Sequence, residues 1–234
     1  MGELQMAAGR ANPPYSWIVG FWSWIFHYLK FVSIAEPLWR LRPSWRKHSF
    51  VDIYVSLNTL AALVALIVVT WRRDYDPTLL LKLVTVYGAL RTFEVFVYQV
   101  NVLLFDQYRH NRDRDPEKIP PFEVRGYRRL VILLVHNYFE IVCWFGVLYM
   151  YLYRSNVISL PRGSEANFFR VFRESMLLMF SFAPEQYTSN SKMGMFFFSL
   201  QATIGVFMSV LVLARFVAVL PPPKTMDPFE EPDA

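Results

Sequence analysis

Five polar residues in two long apolar segments of the sequence are candidates for a network inside the membrane. They are Arg91, Glu94, His136, Asn137 and Glu140. The first two lie three residues apart in segment 78–105, and His136 and Glu140 lie four apart in segment 128–153, so each set shares one face of a helix. Charges inside a bilayer are usually paired, because an isolated one costs about 2.5–3.5 kcal/mol to insert. The pattern predicts a polar network between two helices, such as a pair of Arg91 with Glu140.

The same residues leave a second hypothesis open, a gating or proton-sensing cluster. A histidine near a carboxylate titrates close to physiological pH, and His136 precedes Glu140 by about one helical turn. A voltage sensor is not expected, since it needs several regularly spaced arginines on one helix. No metal site and no cofactor are expected either, because "HNYFE" (136–140) lacks the H-E-x-x-H spacing and the four histidines are scattered along the chain.

A polar loop, "SFAPEQYTSNSKMG" (181–194), separates two apolar segments in the last third of the chain. Irregular backbone at membrane depth is tolerated only where protein buries it or where it lines a cavity. The first residues of this loop are therefore candidate filter or pore residues. They are Ser181, Phe182, Ala183, Pro184, Glu185 and Gln186.

Long apolar runs must position these residues, since 54% of the chain is hydrophobic and 18% is aromatic. Each run has about 20 residues or more, which is enough for a helix across a bilayer core of about 30 Å. The runs are 50–71, 78–105, 128–153 and 193–220. A further segment, 15–35, is rich in tryptophan, which prefers the headgroup region, so this segment either spans the membrane or lies at the interface. The predicted fold is an all-α multi-pass membrane protein with four to five transmembrane helices.

Basic residues concentrate in two segments beside the membrane helices, 36–49 and 106–129. By the positive-inside rule, both segments and the C-terminus are expected to be cytoplasmic, in a plasma membrane or a bacterial inner membrane. The basic loops could also bind anionic lipid headgroups, at about 1 kcal/mol per residue. The net charge of +5 gives no case for nucleic-acid binding, because the basic residues lie in these short loops.

The same segmentation divides the chain into five regions. They are an aromatic and basic N-terminal segment (1–49), a two-helix peripheral membrane unit (50–105), a charged cytoplasmic loop (106–127), a pore-like module (128–220) and a disordered acidic tail (221–234). Within the module, an amphipathic half-helix around 166–180 precedes the polar loop. Three successive prolines end the last helix before the tail.

The module resembles the pore of the tetrameric potassium-channel superfamily. "LLVHNYFEIVCWFGVLYMYLY" is similar to the outer helices of that family, and "QATIGVFMSVLVLARFV" is similar to its inner helices. An alignment anchored on Gly194 and Gly205 needs no gap, and it places Ser181 on the threonine and Gln186 on the aspartate of the family's T-V-G-Y-G-D filter. The resemblance implies a re-entrant pore half-helix before the loop, a homotetramer in the lipid bilayer and a permeant cation.

The filter motif itself is absent. Ala183 and Glu185 stand where the family has glycines, and Pro184 stands at the aromatic position. Rings of inward-facing carbonyl groups need backbone conformations that glycine adopts cheaply, whereas proline fixes φ at about −65° and restricts the residue before it. A potassium-type filter is therefore not expected. Four copies of Glu185 would instead form an acidic ring, which favours cations with weak selectivity or a divalent preference.

Gln201, Gly205 and Ser209 form a mildly polar stripe on the last helix, which either lines a pore or packs closely against another helix. The expected function is a homotetrameric cation channel without a potassium-type selectivity filter. The alternative is a non-conducting membrane module of the same fold that anchors or regulates a partner. A membrane enzyme is the third hypothesis and is not favoured, because the sequence has no nucleophile–base pair and no nucleotide-binding loop.

Overall fold

The computed structural model describes residues 16–33, 48–71, 79–113, 127–161 and 164–219, and most of these residues are helical. The helices are α1 (Trp17–Leu29), α2 (His48–Trp71), α3 (Leu79–Val100), α4 (Asp106–Asp113), α5 (Tyr127–Arg154), α6 (Phe168–Met179) and α7 (Lys192–Val219). A π-helical turn, Asn101–Phe105, joins α3 to α4, and two short strands, β1 (Ile158–Ser159) and β2 (Thr188–Ser189), flank α6. Most of the basic segment 36–49 and the whole predicted tail 221–234 lie outside the described residues.

Three of the described helices are long and apolar enough to cross a membrane. These stretches are Phe50–Trp71 in α2, Val131–Arg154 in α5 and Lys192–Ala214 in α7. α3 has 22 residues, but the charged side chains of Arg91 and Glu94 lower its hydropathy, and it is not one of the three. The chain is thus a helical, membrane-embedded protein, whereas the fourth and fifth predicted spans and the re-entrant pore geometry stay predictions.

α5 forms the centre of the bundle. Its middle section is buried on every side, as expected for a helix that is apolar all round. The buried residues of that section are Ile141, Val142, Cys143, Trp144, Phe145 and Val147. α2, α3 and α6 pack against α5, and the approach of α2 needs Gly146, because an added Cβ would lie 2.9 Å from the Leu66 side chain. The helices that carry the predicted polar residues therefore meet on α5.

α1 is shorter than the thickness of a bilayer core. Its 13 residues extend about 20 Å, against a bilayer core of about 30 Å. It runs antiparallel to the end of α3, since Asn101 Nδ2 donates to the Phe26 carbonyl oxygen at 2.9 Å and the Ser33 hydroxyl donates to Glu94. A side chain of the neighbouring helix thus satisfies a carbonyl group that the end of α1 leaves free. The described part of segment 15–35 ends beside Glu94 of α3, and whether the segment spans the membrane or lies at the interface stays a prediction.

The chain stays helical beyond the predicted end of the second membrane segment. The charged loop predicted at 106–127 begins instead with α4, which has eight residues. Arg109 ties α4 to the π-helical turn, because its Nη2 donates to Asp106 Oδ1 at 2.9 Å and to Asn101 Oδ1 at 2.8 Å. A pair of opposite charges three residues apart stabilises a helix, which explains why the charged segment starts as one. Residues 114–126 lie outside the described part of the chain.

The polar loop joins α6 to α7, and its strand β2 pairs with β1, which follows α5. β1 and β2 form an antiparallel ladder in which Ile158 lies opposite Ser189 and Ser159 lies opposite Thr188. α6 has 12 residues and is therefore about 18 Å long, shorter than a bilayer core. A long helix, a short helix, a loop and a second long helix thus follow one another in the order expected for the module.

Candidate functional site

The loop begins as the C-terminal cap of α6. The amides of Ser181 and Phe182 donate to the carbonyl oxygens of Leu178 and Leu177 at 3.0 and 2.9 Å, which are the two bonds of a Schellman motif. Ser181 has a φ of 63°, a left-handed conformation that glycine adopts most easily. The residue that aligns with the filter threonine of the potassium-channel family is therefore used here to end the helix.

A buried carboxylate holds the loop from behind. Glu174 on α6 is fully buried, and its Oε2 accepts hydrogen bonds from the backbone N–H groups of Glu185 and Gln186 at 2.9 and 3.0 Å. In a trans peptide, the carbonyl group points away from the N–H group of the next residue. The carbonyl oxygens of Pro184 and Glu185 therefore point away from the Glu174 carboxylate.

The Glu185 side chain is paired within its own protomer. It forms an ion pair with Arg173 Nη2 on α6, and Arg173 Nη1 lies 3.5 Å from Glu174 Oε1. The hydrogen bond with Glu185 raises the pKa of the Arg173 guanidinium. The pair remains about half exposed, at 49% for Arg173 and 55% for Glu185. An acidic ring built from four copies of Glu185 would thus carry an arginine beside each carboxylate.

The front and the back of the loop differ in polarity. Phe182 and Ala183 are exposed, whereas Pro184 and Gln186 are half-buried. At the back, Gln186 Oε1 and the Tyr187 hydroxyl are buried without a hydrogen-bond partner among the described residues, and burial raises the pKa of Tyr187. The open face of the loop is therefore partly apolar, and its polar side chains lie behind it or at its edge.

Two of the three residues predicted to line a pore from α7 lie inside the protomer. Gln201 is fully buried, its Nε2 donates to the carbonyl and hydroxyl oxygens of Ser175 at 2.9 Å, and its Oε1 accepts from Tyr149. Gly205 faces α6 so closely that an added Cβ would lie 1.9 Å from a backbone carbonyl oxygen. Ser209 is exposed. The geometry favours packing over pore lining for Gln201 and Gly205, because both are needed where α6 touches α7.

The predicted polar network brings three of its five residues into contact. Arg91 forms a bidentate ion pair with Glu140, with Nε 2.7 Å from Oε1 and Nη2 3.2 Å from Oε2. Arg91 Nη1 also lies 2.9 Å from Glu94 Oε2. All three residues are buried. Bidentate geometry makes such a pair strong and directional, so it fixes the register of α3 against α5.

Aromatic side chains complete this ion cluster. Trp144 Nε1 donates to Glu140 Oε1 at 3.2 Å, and the Tyr54 hydroxyl donates to Glu94 Oε2 at 3.4 Å. The guanidinium carbon of Arg91 lies 4.8 Å from the centroid of the Tyr54 ring, within the range of a cation–π interaction. The sequence did not single out these aromatic residues, because aromatic side chains are common throughout its apolar helices.

The other two residues of the predicted network make no contact with these charges. His136 Nδ1 lies 2.9 Å from the carbonyl oxygen of Ile132, one turn back on α5. Asn137 is 3% exposed, and its Oδ1 has no hydrogen-bond partner among the described residues. The geometry therefore provides no histidine–carboxylate bond for the proton-sensing hypothesis. Within the described ranges, no group of three or more His, Cys, Asp or Glu side chains is arranged to hold a metal ion.

Sequence reasoning missed the residues that support the loop. Arg173 and Glu174 belong to the predicted amphipathic half-helix around 166–180, and Glu174 turns inward and accepts from backbone N–H groups 11 and 12 residues further along the chain. The available signal was a carboxylate next to Ser175 at the start of an otherwise apolar stretch. That signal indicates that Glu174 makes a buried polar contact, but it does not indicate which groups Glu174 bonds.

Comparisons with protein-family models, with curated proteins and with solved structures give no match to this chain. The resemblance to the potassium-channel superfamily therefore rests on the aligned residues alone. Membership of that family and the number of subunits stay predictions.

Proposed function

We propose that the protein is one subunit of a homotetrameric, channel-like membrane assembly that passes cations between the 181–186 loops of its copies. The hydrogen bonds of Glu174 carry this proposal, because they turn two successive loop carbonyl groups away from the buried Glu174 carboxylate. Carbonyl oxygens around a common axis can replace water around a cation. One protomer offers them from one side only, so a closed symmetric ring is needed to surround an ion.

The proposed pathway is not of the potassium type. A potassium filter presents several stacked rings of carbonyl groups, whereas Glu174 orients only the carbonyl groups of Pro184 and Glu185. Ser181 serves to end α6, and Phe182, which is 62% exposed, would add an apolar ring below the carbonyl groups. We expect weak selection among cations, which would pass in a partly hydrated form.

Charge at the loop favours cations over anions. The three ionisable groups that contact one another there, Arg173, Glu174 and Glu185, carry one positive and two negative charges. Four copies would create a negative potential that concentrates cations at the loop. With the basic segments cytoplasmic, the loop lies on the outer side of a plasma membrane or a bacterial inner membrane.

One observation favours a second candidate, a non-conducting module that anchors or regulates a partner. The guanidinium of Arg173 already forms an ion pair with the Glu185 carboxylate. In an open acidic ring, that carboxylate would instead be free to bind the permeant ion. The exposed side chains of Phe180 and Phe182 would then close the centre of the assembly. Such a module would use its basic segments to bind anionic lipid or a partner protein.

Ion flux into liposomes that contain the full chain tests both candidates, with potassium, sodium, calcium and chloride supplied in turn. We expect Arg173→Gln to raise the ratio of cation flux to chloride flux, because it frees the Glu185 carboxylate. Glu185→Gln should lower that ratio, because it leaves the guanidinium without its partner. The double variant is the matched control and should return toward the ratio of the unchanged protein.

The outcomes separate the two candidates. Shifts in the same direction for both variants, or no shift at all, would place the permeation path away from the loop. An intact tetramer that passes none of the four ions would favour the non-conducting module. A monomer in mild detergent would contradict the assembly itself.

A further inference from the structure

A cavity of about 660 Å³, lined by both charged and apolar side chains, lies between α1, α2, α3 and α5, at the end of the bundle that carries α4. Small-molecule sites have volumes of about 300–1,000 Å³. The cavity extends from Arg109 and Arg129, near the ends of the membrane helices, to the buried pair of Arg91 and Glu94, and valine side chains line the part between. It is a deep pocket with a charged mouth, remote from the 181–186 loop.

Two groups in this cavity lack the partner that their chemistry requires. Asn137 is buried, and no described residue bonds its Oδ1. Lys30 has no carboxylate partner within the described part of the chain, and its Nζ lies 5.5 Å from the centroid of the Phe31 ring. A buried polar group left without a hydrogen bond destabilises the folded protein. A ligand in the cavity that donates a hydrogen bond to Asn137 Oδ1 would therefore remove this destabilising effect.

Most of the cationic side chains that line the cavity already belong to ion pairs. The cationic side chains that face it are Lys30, Arg91, Arg109 and Arg129, and the carboxylates are Glu94 and Asp106. Arg91 pairs with Glu94 and Glu140, Arg109 pairs with Asp106, and Arg129 pairs with Asp52. Among the described lining residues, Lys30 is therefore the cation that remains for an anionic group of a ligand.

Helix geometry sets the distance between the two groups that lack a partner. α3 and α5 run antiparallel, which sets Asn137 level with Glu94. Glu94 also accepts from Ser33, three residues after Lys30, on a segment that runs antiparallel to α3. Lys30 therefore lies about one helical turn, roughly 5–6 Å, closer to the mouth than Asn137.

We propose that this cavity binds a small organic phosphate that carries a hydroxyl group, with the phosphate at Lys30 and the hydroxyl at Asn137. A phosphate beside an ammonium group forms strong charge-assisted hydrogen bonds. A hydroxyl both donates and accepts, so it satisfies the Asn137 amide in either orientation. Soluble phosphate esters offer this chemistry, and so does the hydroxylated headgroup of an anionic phospholipid such as phosphatidylglycerol.

Thermal unfolding of the full-chain protein tests the two sources separately. In detergent, the probes are glycerol phosphate and inorganic phosphate. In nanodiscs, the comparison is phosphatidylglycerol against phosphatidylcholine. We expect glycerol phosphate or phosphatidylglycerol to raise the unfolding temperature, and inorganic phosphate to raise it less because it cannot reach Asn137 with a hydroxyl group.

Variants of the two contact residues make the test specific. Asn137→Leu and Lys30→Gln should each weaken the binding by roughly tenfold, as expected for the loss of one buried or charged hydrogen bond. Asn137→Leu should leave the unliganded protein at least as stable, because Oδ1 has no bond to lose. Lys82→Gln, an exposed cation of α3 outside the cavity, and Arg173→Gln at the loop should leave the binding unchanged.

Each result bears on the proposal. Protection by glycerol phosphate assigns the cavity to a soluble ester, and protection by phosphatidylglycerol alone assigns it to a lipid headgroup. Either result supports the site if Asn137→Leu weakens it. No protection by any probe, or equal protection of Asn137→Leu, overturns the proposal. Because ion flux and the Arg173 variant test the loop separately, failure here would leave the channel proposal standing.

Discussion

Replacing Arg91 by methionine tests whether the central ion pair holds α3 against α5. Methionine keeps a long, flexible side chain and removes the charge. Glu140, which is fully buried, would then keep only the Trp144 N–H, at 3.2 Å, among its described polar partners. The change therefore leaves a buried carboxylate in the centre of the bundle without its charged partner.

The expected cost follows from the burial of the pair. The side chains of Arg91 and Glu140 are 4% and 0% exposed, and their two hydrogen bonds measure 2.7 and 3.2 Å. Removing one partner of such a pair costs about 3–5 kcal/mol, because the other charge stays buried. Glu140→Gln should cost only about 1–3 kcal/mol, since the amide oxygen still accepts a bond and Arg91 keeps its contact with Glu94. Arg91→Met combined with Glu140→Gln should be more stable than Arg91→Met alone.

Equilibrium unfolding in mixed micelles of mild and denaturing detergent measures the free energy of unfolding of each variant. Lys82→Met is the control, because Lys82 is exposed on the same helix and a surface change usually shifts stability by less than about 0.5 kcal/mol. The reasoning is refuted if Arg91→Met destabilises the protein no more than Lys82→Met does. A double variant that is less stable than Arg91→Met would refute it equally.

Three other contacts lead to expectations that the same unfolding measurement checks. Gly205→Ala should strongly destabilise the protein, because its Cβ would lie 1.9 Å from a backbone carbonyl oxygen. Gly20→Ala is the control and should be tolerated, because its Cβ would lie 3.7 Å from the nearest atom. Equal unfolding midpoints for the two variants would contradict the packing of α6 on α7. Gln201→Leu should cost about 1–3 kcal/mol for each buried group that it leaves without a hydrogen bond, and an unchanged midpoint would mean that the amide faces water or a pore. Asp52→Asn should cost less than about 1 kcal/mol, because exposed ion pairs contribute little and the side chains of Arg129 and Asp52 are 34% and 44% exposed. A larger loss would count against a surface pair.

The ion cluster illustrates how much of a site residue types can predict. Charges in apolar helices need partners in any fold, so the sequence leads to a pairing of Arg91 with Glu140, and helical spacing adds Glu94 to the same face. The sequence does not predict the direction of His136. That direction depends on how α5 is rotated about its axis, and the ring bonds its own backbone at Ile132.

The loop illustrates what residue types leave open. A side chain that accepts from backbone N–H groups across a loop, as Glu174 does, leaves no pattern in the sequence, because every residue except proline offers the same donor. Gln201 and Gly205 are equally compatible with pore lining and with helix packing when only their types are known. The contact of Gln201 with Ser175 and the close approach of α6 to Gly205 distinguish the two.

The sequence by itself determined that this protein is helical, that long apolar segments suit it to a membrane, and where the polar loop and the ionisable groups lie along the chain. Hydropathy and helical periodicity are local properties, so they can be read without a fold. Only the tertiary structure decided that α1 stops at the level of Glu94, that Glu174 holds the loop, and that a cavity opens beside Asn137. These features depend on which helix faces meet, and side-chain packing between distant parts of the chain sets those contacts.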